Sequence, residues 1–250
     1  MSNSPLASYT KISPNRTCPR NHSIDTVSIH CVVGQFTAKE ILNMKHFVNY
    51  DPKSGASCNY AIGKDGSIGI GVEEKDRSWC TSNKSNDHRA ITIEVASDTK
   101  HPYKVTTEAY KALIELLVDI CKRNNIKSLK WKADKSLIGQ PSKQNMTVHR
   151  WFANKACPGD YLYERHGQIA IEVNNRLSSN QSKVPYKVKI DIDDLNIRKG
   201  PGTDYAKTGK YTGKGVFTIT EYAAGKGSTS GWGKLKSGAG WVSLDFAKKI

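Results

Sequence analysis

The stretch "TVSIHCVVGQFTAKEILNMKHFVN", residues 26–49, decides the fold, because a strand pattern gives way to a helix pattern within it. Its first part, "TVSIHCVV" (26–33), alternates apolar and polar residues and is rich in β-branched side chains, which predicts a strand. A capping box then begins at Thr37 with Glu40 three residues on, and apolar residues follow at helical spacing. A strand that leads directly into a helix is typical of an α/β fold.

The segments that follow continue this alternation. "CNYAIGKDGSIGIGV" (58–72) predicts a hairpin whose turn uses Gly66, because that position needs a positive φ. "AITIEVAS" (90–97) predicts another strand, and apolar periodicity predicts helices over 106–125 and about 161–177. We therefore expect an α/β layer structure.

The chain changes character after residue 177. "SSNQSKVP" (178–185) is polar and unpatterned, which predicts a linker. The short β-like runs beyond it, separated by glycine-rich turns such as "KGPGTD" and "SGAG", predict a small all-β barrel over 186–250. With 250 residues, the chain has room for a first domain of residues 1–177 and this smaller second one.

Composition excludes some classes of protein. The chain is 37% hydrophobic and 24% charged, and no run approaches the roughly 20 apolar residues that a membrane span requires. The first twenty residues lack the pattern of a secretory signal, so we expect cytoplasmic synthesis without a signal peptide and no membrane insertion. Six irregularly spaced cysteines predict no disulfide framework.

The formal net charge of +15 calls for a polyanionic partner. The basic residues are scattered from Lys39 to Lys249, and no helix carries a basic stripe interleaved with aromatic residues. Such a diffuse positive field suits a polyanionic matrix as well as it suits DNA.

A candidate metal site comes from two histidines and a cysteine. A catalytic zinc needs three protein ligands and one open position. His30 lies in the strand 26–33, while His149 and Cys157 lie in "TVHRWFANKACPGD" (147–160). From the residues alone, a strand histidine is more often a core residue than a metal ligand, and an isolated cysteine is more often a buried thiol.

These features together resemble the N-acetylmuramoyl-L-alanine amidase family, of the type-2 amidase and peptidoglycan-recognition fold. The resemblance covers roughly residues 20–177 and rests on the strand histidine, the capped helix, "NYAIGKDGSI", "ITIEVASD" and "HRWFANKACPG", in that order. It implies a mixed central sheet with flanking helices, and a Zn²⁺ enzyme that cuts the amide between N-acetylmuramic acid and L-alanine in peptidoglycan. The implied zinc ligands are His30, His149 and Cys157.

The same resemblance implies roles for other residues. Glu94 is expected to act as general base and later as proton donor to the leaving amine, and Lys155 to stabilise the oxyanion. A tyrosine used by some relatives falls near Cys58 or Asn59 here, so Tyr60 stands one or two positions away from it. The expected substrate-groove residues are Trp79, Trp151 and Asn154, with core packing as the alternative for the tryptophans.

Residues 194–250 resemble a bacterial SH3-like domain, on the motifs "LNIRKGPGT" and "GWV". The resemblance implies binding of the cell wall, and one such unit is present. The expected groove aromatics are Tyr205, Tyr222, Trp232 and Trp241, unless these rings form the core. From residue 184 on there are 12 Lys and Arg against 6 Asp and Glu, so anionic wall polymers are expected partners.

The sequence is thus interpreted as a phage endolysin or autolysin that acts on Gram-positive walls after its release, as a monomer and without a nucleic-acid partner. Two alternatives remain. The first is a non-catalytic peptidoglycan-binding protein, and the second is a cytosolic amidase that recycles soluble muropeptides.

Overall fold

The computed structural model describes residues 2–178 and 184–250. The chain forms two compact units, Met1–Ala170 and Ile171–Ile250. The greater part of the predicted linker 178–185 lies outside the described residues. The division of the chain into the domains 1–177 and 186–250, with their separate roles, stays a prediction.

A mixed sheet forms the centre of the first unit. The strands of this unit are β1 (Tyr9–Thr10), β2 (Arg16–Thr17), β3 (Thr26–Val33), β4 (Tyr60–Ile62), β5 (Ile68–Ile70), β6 (Arg77–Ser78), β7 (Ala90–Ser97) and β8 (Met146–Thr147). Six of them form the sheet in the order β1-β5-β4-β7-β3-β8, while β2 and β6 form a separate ribbon. All sheet pairs are parallel except β4 with β5. The expected mixed α/β sheet is confirmed.

Five helices belong to the described chain: α1 (Ala38–Leu42), α2 (Lys45–Val48), α3 (Lys84–Arg89), α4 (Thr107–Arg123) and α5 (Gly159–Ser178). The capping box of Thr37 and Glu40 is present at α1. The prediction of a single helix after this capping box is wrong, because two short helices, α1 and α2, form there. The first ends at Leu42, the side-chain amide of its C-cap residue Asn43 donates to the Lys39 carbonyl, and Met44 then takes an extended conformation with ψ of 142°.

The other local predictions agree closely with the structure. The hairpin of β4 and β5 turns at Gly66, whose φ is +80°. The strands β3 and β7 have the predicted bounds, 26–33 and 90–97. The last helix, α5, begins two residues before the expected position.

The neighbouring inner strands β3 and β7 have buried side chains on both faces of the sheet. Ile29 of β3 and Ile93 of β7 are fully buried, and α4 presents a continuous apolar side made of Leu113, Leu116, Leu117 and Ile120. Close-packed interiors of this kind hold side chains in defined rotamers. Polar groups on β3 and β7 are therefore held in fixed places.

The second unit contains a seven-stranded antiparallel sheet. Its strands are β9 (Tyr186–Ile190), β10 (Asn196–Arg198), β11 (Lys207–Tyr211), β12 (Gly215–Ala223), β13 (Trp232–Leu235), β14 (Trp241–Ser243) and β15 (Ala247–Lys249), in the order β11-β10-β14-β13-β12-β9-β15. Its core consists of Val188, Ile190, Leu195, Ile197, Ile219, Leu235 and Val242. A small β unit after the predicted linker is therefore present. Among the described residues, none of the helices is long and apolar enough to cross a membrane.

Candidate metal centre

The candidate site is built on two neighbouring parallel strands. His30 of β3 and Glu94 of β7 are register partners, so their side chains lie on the same face of the sheet. The His30 Nδ1 atom and the Glu94 Oε1 atom are 3.8 Å apart, and His30 is fully buried. The strand pairing therefore brings together two residues that are 64 positions apart in sequence.

The segment after β8 adds His149 and Cys157. A hydrogen bond of 3.1 Å from the Arg150 amide to the Cys157 carbonyl joins the two parts of this segment. The Cys157 Sγ lies 3.4 Å from the His30 Nδ1, and one donor atom from each of His30, His149 and Cys157 lies within 4.8 Å of the others. Bond lengths of about 2.0 Å to nitrogen and 2.3 Å to sulfur place the donors about 3.3–3.8 Å apart around a tetrahedral zinc ion. The separation of 3.4 Å between the Cys157 Sγ and the His30 Nδ1 falls within this range.

Two serine hydroxyls meet the outer nitrogens of the two imidazoles. The Ser28 Oγ lies 3.2 Å from the His30 Nε2 and donates its own proton to the Thr147 carbonyl. It therefore accepts a hydrogen bond from the His30 Nε2–H, which leaves the lone pair of the His30 Nδ1 facing the Cys157 sulfur. In the same way, the Ser82 Oγ lies 3.1 Å from the His149 Nε2. Outer hydrogen bonds of this kind orient metal-binding imidazoles.

The electrostatic environment keeps the imidazoles neutral. Burial, followed by the charge of His149, holds the pKa of His30 well below its usual value. Burial and the Lys155 ammonium lower the pKa of His149. Burial raises the pKa of the Cys157 thiol well above its usual value. Neutral imidazoles are the form that binds a cation, and a cation would stabilise the Cys157 thiolate.

Glu94 is the carboxylate next to this set. Its Oε1 accepts a hydrogen bond of 3.7 Å from the Cys80 thiol, whereas its Oε2 is buried and has no hydrogen-bond partner among the described residues. Burial raises the pKa of Glu94 to about 7. His30, Cys80 and Glu94 also have donor atoms within 4.8 Å of one another. The environment of Glu94 suits a group that accepts and returns a proton near neutral pH.

The remaining predicted site residues have different surroundings. Lys155 and Asn154 are exposed in the loop before Cys157. Trp151 is buried and stacks on Trp131 with ring centroids 5.0 Å apart, which favours the packing alternative for Trp151. Trp79 is half-buried, and its Nε1 donates to the Thr17 hydroxyl.

Tyr60 does not take part in the site. Its side chain is fully buried, and its hydroxyl donates to Glu74 at 2.6 Å and accepts from the Ser4 amide at 2.7 Å. The Tyr60 hydroxyl therefore has its hydrogen-bond partners away from His30, His149 and Cys157.

The four aromatic residues expected to bind the wall differ in exposure. Tyr205 is 47% exposed, whereas Tyr222 and Trp241 are half-buried. Trp232 is 3% exposed, which favours the core alternative for that ring. Tyr205 is thus the member of the set that offers a ligand its surface most directly.

Sequence reasoning missed three residues that contact the site. Ser28 precedes His30 by two positions, so the strand period of two would have placed it on the same face. Cys80 and Ser82 reach Glu94 and His149 from a loop that is distant in sequence. Their proximity follows only from the tertiary structure.

Residues 20–160 match the profile of the family described as N-acetylmuramoyl-L-alanine amidase, and this range contains His30, Glu94, His149 and Cys157. No curated protein matches the chain. Among solved structures, the endolysin amidase LysCS from Clostridium intestinale URNW is 18% identical, with 65% of this chain and 95% of that chain covered and a TM-score of 0.44.

Two other solved structures are similar at the same level. The PlyG catalytic domain is 15% identical, covers 70% of this chain and 97% of its own length, and has a TM-score of 0.49. The Drosophila peptidoglycan recognition protein SA is 17% identical, with coverage of 64% and 91% and a TM-score of 0.48.

Proposed function

The chain belongs to the N-acetylmuramoyl-L-alanine amidase family, and from that premise we propose that it is a zinc-dependent peptidoglycan hydrolase. The bond cleaved is the amide between N-acetylmuramic acid and the L-alanine of the stem peptide. The observation that supports this proposal best is the grouping of two neutral imidazoles and a thiol beside a carboxylate with one unpartnered oxygen.

The donor set suits zinc. His30, His149 and Cys157 offer two nitrogens and one sulfur, which are ligands that Zn²⁺ prefers, and three protein donors leave one tetrahedral position for substrate or water. The chemistry that zinc supplies in such a set is polarisation of the scissile carbonyl and acidification of a water molecule. The side chains of this chain would carry out the remaining steps.

Glu94 would move the proton. In this proposal its carboxylate takes a proton from the attacking water as the new carbon–oxygen bond forms. When the carbon–nitrogen bond breaks, Glu94 returns that proton to the amine of L-alanine, so the two products carry the elements of one water molecule. Lys155 lies close enough to His149 to lower its pKa, and its ammonium would stabilise negative charge on the carbonyl oxygen.

The second unit would hold the enzyme on its substrate. Its residues 184–250 carry 12 Lys and Arg against 6 Asp and Glu, and its exposed Tyr205 offers an aromatic face. An SH3-like, wall-binding role for this unit would keep an endolysin or autolysin on an anionic Gram-positive wall. Diffusing muropeptides would not require such a unit.

The test is product analysis on purified Gram-positive cell walls. We expect release of free L-alanine amino termini without new reducing sugar ends, loss of this release with a chelator, and its return with Zn²⁺. The matched control is His30→Ala. New reducing ends would instead identify a glycosidase, and retention on walls without any product would favour the non-catalytic binding protein.

A further inference from the structure

We infer that segment 80–82, which Asp87 anchors, fixes the orientation of two side chains. These are the proposed general base Glu94 and the imidazole of His149, a proposed metal ligand. This inference rests on the proposed function, since it assigns a role to residues around the same site. The segment supplies Cys80 to one group and Ser82 to the other, with Thr81 between them.

The anchor is a buried carboxylate in α3. Asp87 is 1% exposed and accepts hydrogen bonds from the backbone amides of Cys80 and Thr81 and from the Thr81 hydroxyl, at 3.0, 3.2 and 2.6 Å. The Thr81 hydroxyl also accepts from the Asn86 side chain at 3.3 Å. A segment tied by both backbone and side chain has little freedom to move, so the atoms on either side of Thr81 occupy fixed places.

On one side of the anchor, Cys80 sets the orientation of Glu94. Its thiol donates to the Glu94 Oε1, which leaves the Oε2 as the oxygen without a partner. Without this contact the carboxylate would be free to rotate about its last torsion, which has a broad, two-fold energy profile. The thiol therefore holds the Oε1, which lies 3.8 Å from the His30 Nδ1, in a fixed place beside the candidate ligands.

On the other side, Ser82 sets the orientation of His149. Ser82 has a φ of +61°, a left-handed conformation that is uncommon for residues other than glycine. In that conformation its hydroxyl lies 3.1 Å from the His149 Nε2, a contact that holds the imidazole ring in one orientation. Unfavourable backbone conformations that persist in a fold cluster at functional sites, and here the conformation accompanies an orienting contact.

Variants of the full-length protein separate the two contacts. Cys80→Ala should lower kcat about 10-fold with KM and zinc affinity within about 2-fold, and Cys80→Ser should recover most of kcat because its hydroxyl is also a donor. Ser82→Gly relieves the backbone conformation and removes the hydroxyl. It should weaken zinc affinity about 10-fold, which a zinc titration measures without any turnover. Asp87→Asn should both lower kcat and weaken zinc affinity.

The controls are matched in residue type and burial. Cys121→Ala removes a buried thiol of α4, and Ser85→Ala removes an exposed serine hydroxyl of α3. Neither should change zinc affinity or kcat by more than about 2-fold. Zinc affinity is measured by competition with a chromophoric chelator, and kcat and KM by amide hydrolysis of a soluble muramoyl-peptide.

Three results would overturn the inference. Equal losses of kcat in Cys80→Ala and Cys80→Ser would show that Cys80 only packs, and loss of zinc from Cys80→Ala would make it a ligand. An unchanged zinc affinity in Ser82→Gly would remove the role of the segment toward His149. The zinc measurements need no turnover, so they remain decisive even if the wild-type chain hydrolyses no peptidoglycan and the proposed function fails.

Discussion

His30 is the residue on which the candidate site depends most. Its Nδ1 lies near the Cys157 sulfur and the Glu94 carboxylate, and it belongs to both groups of side chains that can hold a cation. The Ser28 hydroxyl fixes its tautomer from the opposite side. One fully buried imidazole thus connects metal binding with the proton-accepting group.

Substitution of His30 should therefore remove the metal as well as the activity. We expect His30→Ala to lose zinc affinity by at least about 100-fold and hydrolysis with it, since no other described donor replaces Nδ1 at this position. Elemental analysis of the purified variant, with the exposed His101→Ala as control, measures the first effect. A His30→Ala protein that retains stoichiometric zinc at wild-type affinity would contradict this assignment.

Glu94 should behave differently. Glu94→Gln keeps the shape of the side chain but cannot accept the proton, so kcat should fall by about 10²–10⁴-fold while zinc remains bound. Comparison of kcat with zinc content in the same preparation checks both parts. Full turnover by Glu94→Gln would assign the proton transfer to another group.

At the scale of elements, the sequence predicted the parts whose patterns are local. Residues close together in sequence determine three of these features. They are the alternation in β3 and β7, the glycine turn between β4 and β5, and the apolar side of α4. The break between α1 and α2 was missed because the apolar spacing continues through it. The contacts of Cys80 and Ser82 were missed because they depend on how a loop folds over β7 and His149.

The N-cap of α4 gives a test at this scale. The Thr106 hydroxyl accepts from the Ala109 amide at 3.1 Å and donates to the Lys64 carbonyl at the hairpin turn. Thr106→Ala should destabilise the first unit by about 1–2 kcal/mol, whereas the exposed neighbour Thr107→Ala should change stability by less than about 0.5 kcal/mol. Urea unfolding followed by the helical circular dichroism signal compares the two, and equal effects would refute the capping role.

The whole molecule combines a unit that carries the candidate chemistry with a smaller, basic β unit. The positive charge is distributed over both, so wall association should weaken as salt rises. The strand and turn pattern after residue 185 predicted a small β unit, and an antiparallel sheet is present there. The exposure of individual aromatic rings was not predictable, because it depends on how the β unit packs.

Binding of the intact chain to walls should depend on Tyr205. We expect Tyr205→Ala to weaken sedimentation with purified walls about 5- to 10-fold, as loss of an exposed aromatic contact does in other interfaces. Tyr211→Ala, which removes another exposed tyrosine of the same unit, is the matched control. The two variants should hydrolyse soluble muramoyl-peptide alike, and equal wall binding by both would exclude Tyr205 as the contact.

The large distance in sequence between the candidate zinc ligands affects the stability of the fold rather than catalysis. His30 and Cys157 are 127 positions apart, so an ion bound by both would be a reversible cross-link between segments of the first unit that are distant in sequence. At a free zinc concentration 1,000 times its dissociation constant, mass action would add about 4 kcal/mol against unfolding. Heat tolerance and protease resistance of this unit would then follow the zinc supply of its surroundings.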